Sequence, residues 1–429
     1  MPRARIPLFL TVIFLFALLT ACGTRATEVP PYWPGDEWRT STPAEQNMDT
    51  ARLEAMIEMI EEQGFAYHSV VVVRNGYIVF EEYLNGWSQE SPHHLQSSTK
   101  SVSSLLIGTL VQNGMLESLD RKMVDLFADY EIANLDSRKE ANTLEHLLTM
   151  SDGMDWHELD YPYSDPNNSL GQMWNSPDAV QHVLDTPMRQ EPGESWSYNS
   201  GTSILLGGVI EEVTGRDVLE YSREVLFDPL GIERIRWDKT TGGHFHTDGG
   251  LYLTPRDMAR IGYLMLRNGE WNGEQIVSRE WVEASSTAHY STGLLDYGYQ
   301  WWVYPGGVYA ATGHYEQKIF VIPAAEMVVV FTGYLPDDEL HPTDGIVYSY
   351  ILDACNDLPD KFHRQTYTGN GITFEHPTGS SLQEFPFPGE KEISDRSGMI
   401  QMTFTSYPFE IMNINWTQTD PDPDLDQYL

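Results

Sequence analysis

Ser97-Ser98-Thr99-Lys100 stands at the mouth of a strong helical pattern that runs from Ser98 to about Asn113 and stops at Gly114. A serine followed three residues later by a lysine puts both side chains on one face of one helical turn. A serine hydroxyl is a weak nucleophile at neutral pH and needs a base within hydrogen-bond reach. A lysine one turn away can be that base when burial and neighbouring cations push its pKa down. The N-terminal end of a helix also favours the negative charge that develops during acyl transfer. Short patterns of common residues recur by chance, so the rest of the chain has to carry the argument.

Working outward, Ala51 to Gly64 reads as an amphipathic helix, with Leu53, Met56, Ile57 and Ile60 at helical spacing. Ser69 to Val73, a turn at Arg74-Asn75-Gly76, and Tyr77 to Tyr83 read as a hairpin. Short helical pieces follow between Gln112 and Ile132, then a helix from Leu144 to Met150. Asp155 to Asn175 is a long aromatic and acidic stretch, a candidate binding loop or a surface loop pinned by its rings. Ser200 to Thr214 is an apolar helix closed by Gly215. A further helix runs to Arg267 from the capped start Thr254-Pro255-Arg256-Asp257. Strands are expected at Tyr299 to Val303, Tyr309 to Thr312, Lys318 to Ile322 and Met327 to Phe331, and a last helix at Ile346 to Cys355. This order predicts an α+β fold. An antiparallel sheet drawn from both ends of the chain is flanked by helices, with a mainly helical subdomain inserted. The nucleophile helix then lies at the junction, a usual place for a pocket.

Two further stretches carry chemistry. In Glu191-Pro192-Gly193-Glu194-Ser195-Trp196-Ser197-Tyr198-Asn199-Ser200-Gly201 a turn leads through a polar cluster into a helix. Tyr198 and Ser200 can face one cavity, and Tyr198 beside a buried lysine can shuttle the serine's proton, partly as phenolate. The plain alternative is a core tyrosine with a satisfied hydroxyl. In Tyr309-Ala310-Ala311-Thr312-Gly313-His314-Tyr315-Glu316-Gln317 a strand ends in small residues, where backbone can approach a ligand and donate to an oxyanion.

Together these stretches resemble the serine β-lactamase and penicillin-binding protein superfamily, with its S-x-x-K, tyrosine-containing polar and K-T-G elements. The resemblance runs from about Trp38 to Cys355 and is closest to the class C β-lactamase-like hydrolases, which include esterases and 6-aminohexanoate-dimer hydrolases. Arg74-Asn75-Gly76, Leu147 to Gly153, Thr254 to Arg260 and Tyr299-Gln300-Trp301-Trp302 look like that branch. The resemblance implies a β-lactamase/transpeptidase-like fold and acyl-serine chemistry. Ser97 attacks a carbonyl, Lys100 and Tyr198 handle its proton, and the backbone N–H groups of Ser97 and His314 form the oxyanion hole. Ser200, Thr312, Gly313, Trp156 and Tyr163 are the candidate substrate contacts. No metal and no cofactor is implied, and the partner is a small ester or amide.

The departures from the family pattern narrow this. The second element is Tyr-Asn-Ser, so Ser200 takes the place of an amide. The third is Ala311-Thr312-Gly313, without the cation that helps grip the carboxylate of a β-lactam or peptide. That favours an ester or linear amide over a D,D-peptidase or β-lactamase substrate, and it is the best support for a non-catalytic binding protein. His314 is one residue further along and is expected on the other strand face. Glu316 stands where similar hydrolases have glycine, and is expected to narrow the pocket or repel anions. His244-Phe245-His246 alternates like a strand, but without a third ligand it reads as a loop near the pocket rim.

The chain has 429 residues, 41% hydrophobic, with 63 acidic against 26 basic side chains and a net charge of −37. So acidic a protein excludes a nucleic-acid partner, which needs a basic surface. An acidic, lysine-poor surface suits a saline medium, where salt screens self-repulsion, and equally an ordinary acidic secreted protein. Arg3 and Arg5 precede an apolar run from Ile6 to Leu19, then Leu19-Thr20-Ala21-Cys22. This resembles a bacterial lipoprotein signal in which Cys22 is lipidated, the alternative being a secretory signal cut near Ala21. Export, with a lipid anchor in a bacterial membrane, is the expectation. Cys355 then lacks an intrachain partner. The expected organisation is a leader at 1–21, a tether at 22–37, the hydrolase domain at 38–365, and a small β-rich extension with an acidic tail at 366–429.

Overall fold

The structure, a computed structural model, describes residues 32–35, 37–292, 295–336 and 342–359, with the backbone of strands at 364–369, 372–377, 381–385, 397–403 and 411–417. The leader run, Cys22 and the tail from Thr419 lie outside the described residues. Trp33 already packs on Tyr263 and Trp271, with ring centroids 6.0 and 5.7 Å apart.

Eight strands form the central antiparallel sheet: β1 (Tyr67–Arg74), β2 (Tyr77–Tyr83), β3 (Tyr290–Ser291), β4 (Asp296–Tyr297), β5 (Trp302–Val303), β6 (Tyr309–Gly313), β7 (Gln317–Ile322) and β8 (Met327–Gly333). Their order is β2-β1-β8-β7-β6-β5-β4-β3. The two ends of the chain meet where β1 pairs with β8, Val71 opposite Val330. Asn75 and Gly76 both take left-handed conformations, φ 52° and 82°, which turns β1 into β2 with the strands' own twist. Strand alternation divides the valine run. Val71 and Val73 enter one core, Val70 and Val72 the other.

Helices cover both faces. On the back lie α1 (Thr50–Gln63), capped by the Asp49 side chain and by Gly64 at φ 69°, and the segment Thr343 to Leu352. That segment holds a turn of ordinary helix at Thr343–Ile346 and then wider π-type turns at Val347–Leu352, where a plain helix from Ile346 to Cys355 was expected. On the front, α4 (Pro255–Leu266) lies close against the sheet because Gly262 has no side chain. A Cβ there would sit 2.5 Å from Val328 Cγ1.

The helical middle is built on α2 (Ser98–Gln112) and α3 (Ser200–Thr214), which pack on each other. Both are buried on nearly every side, so neither shows an amphipathic stripe. Shorter helices at Leu144–Leu148, Ser169–Trp174 and Ala179–Asp185 surround them. The fold is therefore α+β of the β-lactamase/transpeptidase type, and the start of α2 meets the end of β6. Beyond residue 363 the backbone forms a two-stranded and a three-stranded antiparallel sheet. Of the expected strands, 372–374, 399–403 and 411–416 lie in these, residues 404–405 and 409–410 being outside the described residues, while strands at 364–369 and 381–385 were not expected.

Candidate active site

The small polar residues of the Ser97-Ser98-Thr99-Lys100-Ser101 run moor the helix. Ser98 Oγ donates to the Gln317 carbonyl on β7 at 2.8 Å, and Ser101 Oγ to the Gln300 carbonyl at 2.6 Å. Thr99 Oγ1 accepts from Leu251 N at 3.3 Å. Gln96, just before Ser97, is left-handed at φ 51°, and its amide meets His94 Nδ1 at 2.7 Å. Gly313 ends β6 directly beneath this turn. A Cβ there would lie 2.2 Å from the Leu95 carbonyl and 3.0 Å from Ser98 N, so glycine is required for the approach.

Lys100 is 2% exposed and donates to Ser97 Oγ at 3.1 Å and to the Asp248 carbonyl at 2.6 Å. Tyr198 is hydrogen-bonded to Ser97 as well, and Lys100 Nζ lies 5.2 Å from its ring centre. Ser97, Lys100 and Tyr198 thus come together as one group. Trp196 and Trp302 flank the tyrosine, each with a ring centroid 6.2 Å away. Burial drives the Tyr198 phenol far above its ordinary pKa, the charge of Glu158 adds to this, and the Ser97 bond opposes it weakly. This burial favours the protonated phenol and weighs against the partial phenolate expected from sequence. The surroundings of Lys100 differ as well. Its charged neighbours are the carboxylates of Glu158 and Asp248 rather than cations.

Ser97 and Lys100 open into a cavity of about 710 Å³ that Glu158, Tyr163, Trp174, Ser200, His246 and His314 also line. His314 was expected on the far strand face. Instead the chain leaves β6 at Gly313 and turns through Tyr315 (φ 61°) and Glu316 (φ 69°), which carries His314 to the cavity, 5.5 Å from the Tyr163 ring.

Three expected residues lie elsewhere. Thr312 alternates with Gly313 and interacts with Tyr304 behind the sheet. Trp156 is 3% exposed and donates from Nε1 to Glu158 Oε2 at 2.9 Å, so it supports the wall rather than forming it. Glu316 neither narrows nor charges the cavity. It is buried behind β6, 3.3 Å from Lys318 Nζ. The two histidines of His244-Phe245-His246 also diverge. His244 meets Glu211 at 2.9 Å and His246 meets Asp248 at 3.1 Å.

Glu158 is the residue that sequence reasoning missed. Its Oε1 accepts from Ser200 Oγ at 2.7 Å, and its Oε2 accepts from Ser200 N at 2.9 Å. Burial raises its carboxyl pKa, while Lys100 and the Ser200 and Trp156 bonds act the other way. The one available signal was an acid set between Trp156 and Leu159 in an aromatic loop. The amide of Asn199 is occupied with structure, accepting from Gly201 N at 2.8 Å and donating to Asp152 at 3.1 Å.

Residues 53–335 match the family model described as Beta-lactamase. The chain belongs to the beta-lactamase family. Among curated proteins it is similar to the 6-aminohexanoate-dimer hydrolase of Paenarthrobacter ureafaciens, 24% identical over 314 residues, 67% of this chain and 78% of that protein. It is also similar to the lovastatin esterase of Penicillium rubens, 30% identical over 195 residues, 41% of this chain and 47% of that protein. Among solved structures, the octameric penicillin-binding protein homologue from Pyrococcus abyssi superposes with a TM-score of 0.59 at 20% identity, covering 87% of this chain and 97% of that one. The last likeness bears on fold alone.

Proposed function

We propose that this family member is an exported serine hydrolase that cleaves an ester or linear amide through an acyl-Ser97 intermediate. The observation that carries the reading is the bond between Ser97 Oγ and Lys100 Nζ at 3.1 Å, both lining an open cavity, with the buried Tyr198 interacting with Ser97 beside them. Ser97 Oγ attacks the substrate carbonyl carbon as its proton passes to neutral Lys100. The backbone N–H groups of Ser97 and His314 stabilise the oxyanion. As the tetrahedral species collapses, the proton returns to the departing alcohol or amine through the un-ionised Tyr198 hydroxyl. Water then attacks the acyl group, again with Lys100 taking the proton, and Ser97 is released. Hydrolase names among the relatives support the reaction class, an esterase and a 6-aminohexanoate-dimer hydrolase among them. Ala311, fully buried in the front core, supplies no cation for a substrate carboxylate, which favours these substrates over a β-lactam or a peptide terminus. Export and an anchor at Cys22 belong to the proposal and rest on the leader sequence.

The test is hydrolysis of short-chain p-nitrophenyl esters by wild type and Ser97→Ala, with fluorophosphonate labelling and nitrocefin turnover alongside. Turnover and labelling that both vanish in the variant, a loss of about 10³-fold or more, are expected. A folded wild type that neither turns over nor labels overturns the enzyme reading in favour of a binding protein. Rapid nitrocefin turnover moves the substrate to the β-lactam class.

A further inference from the structure

The cavity in front of Ser97 is wider than a short ester needs, and much of the molecule's exposed apolar surface gathers beside it. Its volume of about 710 Å³ is room for a ligand of drug size. Among the described residues eight large apolar or aromatic side chains are exposed, and four of them, Leu159, Tyr161, Tyr163 and Trp174, fall between residues 159 and 174. Single exposed apolar residues need no explanation, but a run of them that enters a cavity wall does. Tyr163 and Trp174 line the cavity themselves, at 43% and 42% exposed. Trp174 is held in place there. Its Nε1 donates to Asp248 Oδ2 at 3.0 Å. His246, which meets Asp248 Oδ1 at 3.1 Å, lies with its ring centroid 5.6 Å from that of Trp174, at an interplanar angle of 86°. Asp248 is buried, and its backbone carbonyl accepts from Lys100 Nζ at 2.6 Å. Tyr163 and His314 meet at 65° with centroids 5.5 Å apart. Both ring pairs meet at steep angles rather than stacked, so neither closes two ring faces on each other.

We infer that Trp174 and Tyr163 form a subsite for a planar ring, carried on the acid or the alcohol side of the ester or amide that Ser97 attacks. The inference rests on the reading of Ser97 as nucleophile. A tryptophan ring that stays exposed while its N–H is tied to a buried carboxylate presents apolar surface to water in a fixed orientation. Covering that surface is favourable, and little side-chain freedom is left to lose when a ligand arrives. A flat, rigid group suits it best. Such a group has few rotors of its own to freeze, and it can lie offset or edge-on against the rings, contacts that add to the gain from burial. A flexible alkyl chain of equal area loses more freedom on binding. The subsite is also tied to the reacting serine. Asp248 holds Trp174 by its side chain and Lys100 by its carbonyl, so one buried residue sets the distance between a seated ring and the Ser97-Lys100 pair.

The experiment measures kcat/KM for two pairs of esters in wild type and Trp174→Leu. One pair, p-nitrophenyl phenylacetate against p-nitrophenyl acetate, puts the ring on the acid. The other, benzyl acetate against methyl acetate, puts it on the alcohol. Each value is divided by the rate of alkaline hydrolysis of the same ester, and fluorophosphonate labelling counts competent Ser97. The ratio within a pair cancels whatever the substitution does to Ser97 and Lys100, and leucine keeps apolar bulk while removing the ring. Wild type is expected to favour the ring-bearing ester about tenfold in at least one pair, and Trp174→Leu to lose most of that preference. A wild type that labels but shows no preference in either pair overturns the inference and leaves the hydrolase reading standing. A preference that Trp174→Leu keeps in full overturns it too. If Trp174→Leu does not fold, Tyr163→Leu decides on the same ratio, since Tyr163 is the other exposed ring of the wall. A wild type that neither labels nor hydrolyses any of the four esters defeats the hydrolase reading itself, and this inference falls with it.

Discussion

The two faces of the central sheet each bury a lysine, and they treat it in opposite ways. Behind the sheet, Lys318 lies 2.5 Å from Asp344 and 3.3 Å from Glu316, and Tyr304 donates to Asp344 at 3.2 Å. Burial alone would favour loss of its proton, but the two carboxylates outweigh that and push its pKa well up. In front, Lys100 is as deeply buried yet makes no direct ion pair among the described residues. Its bonds go to a hydroxyl and a carbonyl, with the carboxylates of Glu158 and Asp248 acting through space. A lysine clamped between carboxylates cannot give up its proton and serves the fold. Lys100, held by a hydroxyl and a carbonyl, stands beside Ser97 instead, and its position is what the pocket needs. The clamp also lies behind the turn Tyr315-Glu316, whose two left-handed residues bring His314 to the cavity, so the back face shapes the front.

This contrast can be broken by exchanging the outcomes of two substitutions. Lys100→Ala is expected to lower kcat/KM about 10³-fold, the scale of a lost general base, while leaving the thermal midpoint near that of wild type. Steady-state kinetics beside thermal unfolding checks this. Lys318→Met is expected to do the reverse. It takes the cation away from buried Glu316 and partly exposed Asp344, costing about 3 kcal/mol of stability by denaturant unfolding. A Lys318→Met protein that is folded and stable but inactive would erase the distinction between the two faces.

The parts of the molecule that were legible before the structure are those set by short-range chemistry. The helix expected from Ser98 to about Asn113 is found at Ser98–Gln112, and the one from Ser200 to Thr214 keeps both ends. Their stops are glycines with positive φ, Gly114 at 69° and Gly215 at 67°, and such caps are written locally. The Ser97, Lys100 and Tyr198 group was visible because its spacing is tied to those helices. The misplacements of Thr312 and His314 have different origins. Thr312 follows strand parity, which the sequence already contained. His314 escapes parity because two non-glycine residues turn the chain left-handed, for which composition gives no sign. Glu158 was unreadable because its role comes from Ser200, forty-two residues away, and an isolated glutamate carries no spacing pattern.

The smallest test concerns a third kind of buried charge, one with neither a cation nor a reaction to serve. Asp152 is 2% exposed, and its Oδ1 accepts from Met154 N at 2.9 Å and Asn199 Nδ2 at 3.1 Å. Burial raises its pKa to about 6, against the opposing pull of those bonds. The sign follows from linkage. Below the ordinary value of 3.8 the carboxyl is protonated in both folded and unfolded chains, and its burial has no ionic cost. As the pH rises towards 6 the unfolded chain ionises first, so stability is progressively lost, and above 6 the loss stays constant. A shift of that size corresponds to about 3 kcal/mol. Asp152→Asn keeps an oxygen for both donors and has no charge to acquire. Its stability relative to wild type, measured by denaturant unfolding at several pH values, should climb by about 3 kcal/mol between pH 3 and 7 and then level off. A difference that stays flat with pH would mean that the folded chain ionises Asp152 without cost. The sheet's two faces would then no longer suffice to sort its buried charges into those that are paired and those that are used.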